Sequence, residues 1–249
     1  MSQVQSDKSI DANRFERFAA GAELDVAIGL SRLGCEVGYR ARVRDDSFGQ
    51  FLLGVLDREG IARRGVAIDC ERPTGFMLES RADDGADPAI EYHRRGSAAS
   101  AMSVDTMPTT LDARTRHLHL TGISPAHSQS CRELVLQLAR AARDAGCRVS
   151  FDPNLRPRLW RDQPTMVATL NELAAFADIV LPGLAEGRLL MGCERPQEIA
   201  QHYRSAARKR SSSSSGRMAR FARIASVWRS SWQACRSTRW STQSAPAMP

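Results

Sequence analysis

Near the start of the chain, apolar positions recur at helical spacing in two stretches separated by a short apolar run. Leu24, Ala27 and Ile28 lie three and four positions apart before a stop signal at Gly34, which predicts a helix over residues 22–34. Residues 35–43 predict a short strand. A second amphipathic helix is predicted over residues 46–61, with these apolar residues facing inward: Phe48, Phe51, Leu52, Val55 and Leu56.

The next stretch has a different pattern, with short half-polar segments in place of helical spacing. Residues 66–70, 74–80 and 89–95 predict three such strands, and the turn-rich residues 82–88 join the last two. The pattern predicts a small antiparallel flap over residues 66–95.

Buried strands and helices alternate after the flap. Strands are predicted over residues 117–123, 147–154 and 178–183, and helices over residues 128–146 and 164–177. Strands separated by helices of this length are typical of a parallel sheet covered on both faces. We therefore expect an α/β fold.

Charge divides the chain into two unlike parts. The net charge is +7, but residues 205–249 hold nine basic residues and no acidic one, so residues 1–204 carry −2. The last part also contains five consecutive serines and sustains no regular spacing, which predicts a disordered tail. The alternative takes the tail, with its segment RKRSSSSSGR, as a nucleic-acid-binding arm; the body itself offers no reason to expect nucleic acid as a partner.

Bulk composition narrows the class further. A hydrophobic content of 42% over 249 residues is enough for a real core. No apolar run is long enough to cross a bilayer, and the N-terminus lacks the pattern of a secretory signal. Six cysteines without a CxxC pair fit reduced thiols. We expect a cytoplasmic protein with no membrane partner.

Several polar residues stand where such sheets bind ligands, just beyond the carboxyl ends of strands. Asp152, Asn154 and Arg156 follow a predicted strand, and the arginine offers a planar fork for a carboxylate or phosphate. Alternatively, Asp152 and Arg156 pair within their loop. Glu186 could hold Mg²⁺ through water or act as an acid at a helix N-terminus.

Two further pairs share a strand face because they are two residues apart. Tyr92 and Arg94 would suit a polyhydroxy acid, or would belong to a solvated flap strand. His117 and His119 could bind a metal, but no third ligand is apparent, so structural histidines are favoured. The sequence contains neither GxxxxGK[ST] nor GxGxxG.

Seven blocks in order resemble the ribokinase-like (PfkB) sugar kinases, especially those acting on 2-keto-3-deoxygluconate. The similarity covers roughly residues 14–204, and the blocks are AGAELDVAIGLSRLG, RDDSFGQFL, PTGFMLESRADDG, EYHRRGSAAS, HLHLTGI, SFDPNLRPRLW and VLPGLAEGRLL. The resemblance implies a three-layer α/β domain with a small β lid, ATP and Mg²⁺ as cofactors, a sugar-acid substrate and a homo-oligomer formed through the lid. It also implies substrate contacts from Gly21, Tyr92, Arg94 and Arg156, secondary ones from Asp152 and Asn154, and a place for Glu186 near Mg²⁺.

The sequence also departs from this family pattern. The family has Asn where Asp25 stands, Gly where Arg44 stands and often Tyr where Met77 stands, and its first core strand has no counterpart before Gly21. Its Asp-Thr-x-Gly-Ala-Gly-Asp segment, which would stabilise the transferring phosphoryl group and supply the base, is missing. The prediction is a C-terminally incomplete kinase domain over residues 1–204 that lacks activity, or else a non-catalytic sugar-acid-binding remnant.

A shifted reading frame would account for the missing segment. Residues 240–249 can be encoded by TGG TCG ACA CAG TCG GCG CCG GCG ATG CCG, which two bases in reads Val-Asp-Thr-Val-Gly-Ala-Gly-Asp-Ala. In the same frame, residues 207–219 can be encoded so that the shifted reading is Gly-Ala-Lys-Ala-Val-Val-Val-Lys-Leu-Gly-Pro-Asp-Gly. Our hypothesis is a frameshift near Ser205.

Overall fold

The computed structural model describes residues 2–6, 15–80 and 90–211. In these ranges the strands are β1 (Ser2–Ser6), β2 (Phe15–Ala19), β3 (Gly38–Arg44), β4 (Ala62–Asp69), β5 (Phe76–Ser80), β6 (Ile90–His93), β7 (His117–Thr121), β8 (Arg148–Asp152) and β9 (Ile179–Val180). The helices are α1 (Ala22–Arg32), α2 (Ser47–Arg58), α3 (Gln129–Asp144), α4 (Gln163–Ala174), α5 (Leu184–Met191) and α6 (Pro196–Ser211). The predicted turn over residues 82–88 lies outside the described residues.

Helix boundaries follow from capping side chains close to the predicted positions. Asp46 accepts a hydrogen bond from the Gly49 amide at the start of α2, and its second oxygen accepts one from the Thr74 amide. Asp162 caps α4 in the same way through Thr165. Such caps satisfy amides that the helix itself leaves free, so they fix where each helix begins.

The strands form three sheets within the described ranges. Strands β7, β8 and β9 are parallel, in that order, and β3 pairs in parallel with β4. The third sheet has four strands in the order β2-β1-β5-β6, and we call it the lid sheet. Strand β1 is parallel to β5, and the other pairs are antiparallel. The α/β class with parallel strands is confirmed.

The predicted flap began too early. Residues 66–69 belong to β4, which pairs with β3 and not with the lid strands. Strand β3, helix α2 and strand β4 form a continuous crossover unit, which favours parallel pairing of the two strands. Asp69, the last residue of β4, is only 1% exposed and forms an ion pair with Arg42, with 2.9 Å between Oδ2 and Nε.

Two of the three core clusters among the described residues surround strands of the parallel sheets. One surrounds β8, where Val149 and Phe151 are fully buried against Met166 and Leu170 of α4. The other packs α1 and α2 on β3. Between described residues 2 and 211, no helix is long and apolar enough to span a membrane.

Helix α6 extends past the predicted boundary at residue 204 and ends at Ser211. Alanine, arginine and lysine after Arg204 have good helix propensity, so the helix continues although the apolar spacing stops. The rest of the predicted tail, residues 212–249, lies outside the described residues.

Candidate functional site

The candidate site lies at the carboxyl ends of β7 and β8. Thr121 and Asp152, the last residues of these neighbouring strands, are in register, and the Gly122 amide donates to the Asp152 carbonyl at 3.0 Å. A Cβ atom on Gly122 would lie 1.9 Å from the Pro153 carbonyl oxygen, so only glycine allows this approach. The two strand ends are thereby held together at the edge where parallel sheets bind ligands.

Tyr92 and Arg94 come from the lid. The guanidinium carbon of Arg94 lies 4.1 Å from the centre of the Tyr92 ring, a cation–π contact. In the lid register, Phe18 and Tyr92 are linked across the sheet through Gln3 and Met77, so Tyr92 shares its face with Met77. Tyr92 and Arg94 are thus in contact; strand β6 is itself exposed, as in the solvated alternative, but Arg94 is buried.

Arg94 is a buried cation. It is 8% exposed, and its Nε has no hydrogen-bond partner in the part of the chain that the structure describes. Burial lowers the pKa of Arg94 from its ordinary value, and the positive charge of Arg156 acts in the same direction. Glu23 acts in the opposite direction. Arg156 and Glu23 are thus both close enough to act on Arg94.

Arg156 lies in the loop after β8, in the left-handed backbone region with a φ of 44°. Its side chain belongs to an exposed residue, which leaves the guanidinium free to meet a ligand. Asn154, two residues earlier, has a φ of 39°. Its backbone and side chain donate hydrogen bonds to Asp152, and the Arg156 charge acts on Asp152 more weakly. The loop is therefore organised around Asn154 and not around a pair between Asp152 and Arg156.

Asp152 and Glu186 are neighbouring carboxylates. Burial, and then the negative charge of Glu186, raises the pKa of Asp152 to about 6. Glu186 accepts hydrogen bonds from the Leu155 amide at 3.2 Å and from the Gly183 amide at 2.7 Å. The second bond caps α5, so the helix N-terminal role anticipated for Glu186 is observed.

Gly21 precedes α1 with a φ of 147°, a conformation that favours glycine. It brings Glu23 into the first turn of α1, where Glu23 Oε1 accepts hydrogen bonds from the Thr121 hydroxyl at 2.5 Å and the Ser124 hydroxyl at 2.8 Å. Sequence reasoning missed Glu23. The signal available was its position two residues after Gly21, at the start of a predicted helix.

His127 was also missed. Burial, followed by the charge of Arg94, lowers the pKa of His127 to about 4, so it is neutral at pH 7. It follows a short 3-10 helix over Ser124–Ala126, which leads directly from the end of β7. A neutral imidazole beside the Arg94 guanidinium offers the site a hydrogen-bonding group without adding charge.

His117 and His119 lie on β7, and the Glu23 charge acts on His119. Ser150 Oγ lies 2.7 Å from His117 Nε2 and 2.9 Å from His119 Nδ1, so one hydroxyl joins both rings. Within the described ranges there is no cluster of three or more His, Cys, Asp or Glu residues that could hold a metal. Both histidines thus have a side-chain partner within the protein, which fits the structural role favoured over metal binding.

Parallel strands covered by helices, together with a small β lid sheet, define an α/β protein with a lid. The sequence matches the pfkB family carbohydrate kinase profile over residues 2–212. The chain therefore belongs to the pfkB family of carbohydrate kinases, as the sequence blocks predicted, and Tyr92, Arg94, Asp152 and Glu186 lie in the matched region.

Individual relatives support this assignment. The chain is 42% identical over 194 residues to a 2-dehydro-3-deoxygluconokinase of Bacillus subtilis (strain 168), covering 78% of this chain and 60% of the relative. A fructokinase of Vibrio alginolyticus is 33% identical, with 64% of this chain and 51% of the relative covered. This chain thus spans between half and two thirds of these relatives' length.

A solved structure shares the fold. The PfkB protein from Polaromonas sp. JS666 superposes with a TM-score of 0.79 at 42% identity, covering 83% of this chain and 70% of that one. The fructokinase of Halothermothrix orenii gives a TM-score of 0.71 at 25% identity, covering 83% of this chain and 73% of that one. The predicted ribokinase-like α/β fold is confirmed.

Proposed function

We propose that this chain binds a sugar acid of the 2-keto-3-deoxygluconate type, with the carboxylate and keto end between Arg94 and Arg156. The observation that carries the proposal is the buried Arg94 guanidinium, whose Nε lacks a hydrogen-bond partner within the described residues. A buried donor without a partner is costly, and a carboxylate would both satisfy it and neutralise the two like charges. A neutral sugar would satisfy the donor but leave the charges.

The remaining polar groups suit the hydroxyls of such a substrate. Within the described residues, Glu23 Oε1 accepts two hydrogen bonds and Oε2 accepts none. The Tyr92 hydroxyl, the neutral His127 ring and the backbone at Gly21 add further donors and acceptors. A carboxylate acceptor and neutral donors on the same wall can bind several hydroxyls of one sugar.

Two relatives named 2-dehydro-3-deoxygluconokinase, from Bacillus subtilis and Thermoproteus tenax, support a sugar acid, but fructokinases also match. Calorimetric titration of the chain with 2-keto-3-deoxygluconate and with fructose separates the two. We expect measurable affinity for the acid and at least tenfold weaker binding of fructose. Equal affinity for both sugars would contradict the proposed role of the arginine pair.

The family reaction transfers the γ-phosphoryl group of ATP to a sugar hydroxyl with Mg²⁺. Glu186 fits an indirect role at the metal, since each of its oxygens accepts one amide hydrogen bond and retains a lone pair for a metal-bound water. Asp152 places a second carboxylate nearby. The sequence contains no Gly-Ala-Gly-Asp segment to stabilise the phosphoryl group or accept the hydroxyl proton.

We propose that the chain binds sugar acid without turning it over, and that a frameshift near Ser205 removed the catalytic segment. An ATP-coupled assay with 2-keto-3-deoxygluconate is expected to show no turnover by the protein of this sequence. A gene whose reading frame is shifted near codon 205, so that it encodes the Gly-Ala-Gly-Asp segment, should produce an active enzyme. Resequencing codons 195–249 checks the cause, and turnover by the unrestored chain would refute the proposed loss of the base.

We also propose that two copies pair through the lid, as the family resemblance implies. Phe15 is 52% exposed and Phe18 is 43% exposed on β2, at the edge of the lid sheet. Apolar side chains on an exposed strand are a common basis for association. Light scattering is expected to report a dimer, and Phe18→Ser should shift it toward the monomer; a wild-type monomer at all concentrations would contradict the pairing.

A further inference from the structure

The loop that carries Arg156 contains two residues in an unfavourable backbone conformation. Asn154 and Arg156 are the non-glycine residues with positive φ within the described ranges, at 39° and 44°. The left-handed region is disfavoured for residues with a Cβ atom, less so for asparagine than for arginine. A strained loop of this kind persists only where its surroundings hold it in place.

The residue between them, Leu155, is held on both sides of its backbone. Its amide donates to Glu186 Oε1 at 3.2 Å, and its carbonyl accepts from Trp160 Nε1 at 2.8 Å. The Leu155 side chain is 7% exposed and Trp160 is 8% exposed, both in the cluster around β8. Glu186 and Trp160 therefore fix the two peptide units that flank the Leu155 Cα atom, the second of which leads into Arg156.

These contacts determine the direction in which Arg156 leaves the loop. With Leu155 fixed and Asn154 bonded to Asp152, rotation of the Arg156 backbone out of the left-handed region would displace the following Pro157–Leu159 turn. The amide of Leu159 is itself bonded to the Arg156 carbonyl at 2.9 Å. Arg156 is thus anchored at its backbone while its side chain remains exposed.

We propose that Trp160 and Glu186 are positioning residues for Arg156, which they hold ready for the carboxylate of the ligand. This inference rests on the proposed sugar-acid function and assigns Glu186 a task besides its expected place near Mg²⁺. Trp160 touches no part of the substrate site through its own polar atom, because its one N–H is used on the Leu155 carbonyl. Trp160 therefore affects binding only by fixing the conformation of the loop that carries Arg156.

Trp160→Phe removes the donor and retains an aromatic ring. The matched control is Tyr203→Phe, because Tyr203 is buried in the same cluster and its hydroxyl has no hydrogen-bond partner within the described residues. Titration of the full chain with 2-keto-3-deoxygluconate and with its uncharged carboxamide gives a ratio of two affinities. A merely structural role would change both affinities together and leave that ratio unchanged.

We expect Trp160→Phe to weaken binding of the acid about tenfold and of the carboxamide less than twofold, while Tyr203→Phe keeps the wild-type ratio. Glu186→Leu should resemble Trp160→Phe, and Glu186→Gln, which retains one carbonyl oxygen for the Leu155 amide, should recover part of the ratio. An unchanged ratio in Trp160→Phe, with wild-type binding intact, would overturn the positioning role and leave the proposed function standing.

Crystal structures of the wild type and Trp160→Phe test the positioning without a ligand. The expected result is a φ of Arg156 that leaves the left-handed region in the variant. A left-handed Arg156 in both structures would overturn the inference. A wild-type chain that binds no sugar acid would instead refute the proposed function, and the Arg156 conformation would then decide the positioning by itself.

Discussion

The Arg94 guanidinium lies 4.1 Å from the centre of the Tyr92 ring and has an unpaired, buried Nε within the described residues. Stacking on the ring orients the plane of the guanidinium and compensates part of its lost hydration. The arginine thereby keeps its donors available for a ligand. Because the ring and the cation both come from the end of β6, the lid supplies a prepared anion-binding group to a site that otherwise belongs to the parallel sheet.

Replacing Arg94 should reduce affinity for the acid selectively. Arg94→Lys keeps the charge but loses the planar fork, and we expect about tenfold weaker binding of 2-keto-3-deoxygluconate by calorimetry. Arg94→Ala should weaken it about a hundredfold. The neighbouring Arg95 is exposed, so Arg95→Ala is the matched control and should bind like wild type. Equal losses in the two alanine variants would show that only general charge matters.

His127 should make the protein less stable in acid. Its pKa is lowered to about 4 in the folded protein by burial and the Arg94 charge, whereas in the unfolded chain it is near 6.5. Below pH 6.5 the unfolded chain binds a proton at His127 that the folded protein binds only near pH 4, so stability is lost as the pH falls toward 4. His127→Leu should remove about 2 kcal/mol of this loss.

Urea unfolding at pH 7.5 and at pH 4.5 measures that difference. The exposed His202 of α6 provides the control, and His202→Gln is expected to follow the wild-type profile. A wild-type slope in His127→Leu would mean that the imidazole is solvated in the folded protein.

Asp152 should affect the pH dependence of stability in the opposite direction to His127, over an overlapping pH range. Its folded pKa of about 6 lies above the ordinary value because of burial and then Glu186. As the pH falls from 7.5, the folded protein takes up this proton before the unfolded chain does, so the group stabilises the fold in acid. Asp152→Asn should therefore raise the free energy of unfolding by about 1 kcal/mol at pH 7.5 and give a smaller gain at pH 4.5, which vanishes only below the unfolded pKa.

The same urea titrations distinguish the two groups, because His127→Leu should reduce the loss of stability between pH 7.5 and pH 4.5, whereas Asp152→Asn should increase it. Equal destabilisation by Asp152→Asn at both pH values would indicate that its bonds to Asn154 outweigh its repulsion with Glu186.

Local patterns and distant pairings differed in how well the sequence revealed them. Helix α2 was predictable because its apolar spacing and its Asp46 cap lie within a few residues of one another. The partner of β4 was not, since the parallel pairing with β3 is decided across the intervening helix. The blocks that resemble sugar kinases led to Tyr92 and Arg94, whereas Glu23 and His127 reach Arg94 only through tertiary packing. No periodicity marks such residues.

Gly122 should be intolerant of any side chain, because it lets the ends of β7 and β8 approach. A Cβ atom there would lie 1.9 Å from the Pro153 carbonyl oxygen and 2.6 Å from Leu170 Cδ2. Both neighbours belong to the packed region around β8, so the clash must be relieved by moving the strand end that carries Asp152. We expect Gly122→Ala to lower the free energy of unfolding by about 3 kcal/mol.

The matched control is Gly29→Ala, in the middle of α1. A Cβ atom at Gly29 meets nothing within 4 Å, and alanine favours a helix more than glycine does. This variant should gain about 0.5 kcal/mol in the same urea titrations. Similar stabilities for the two variants would show that the β7 and β8 ends can separate without cost, and the strand-edge site would then lack the rigidity that Arg156 needs to meet a carboxylate.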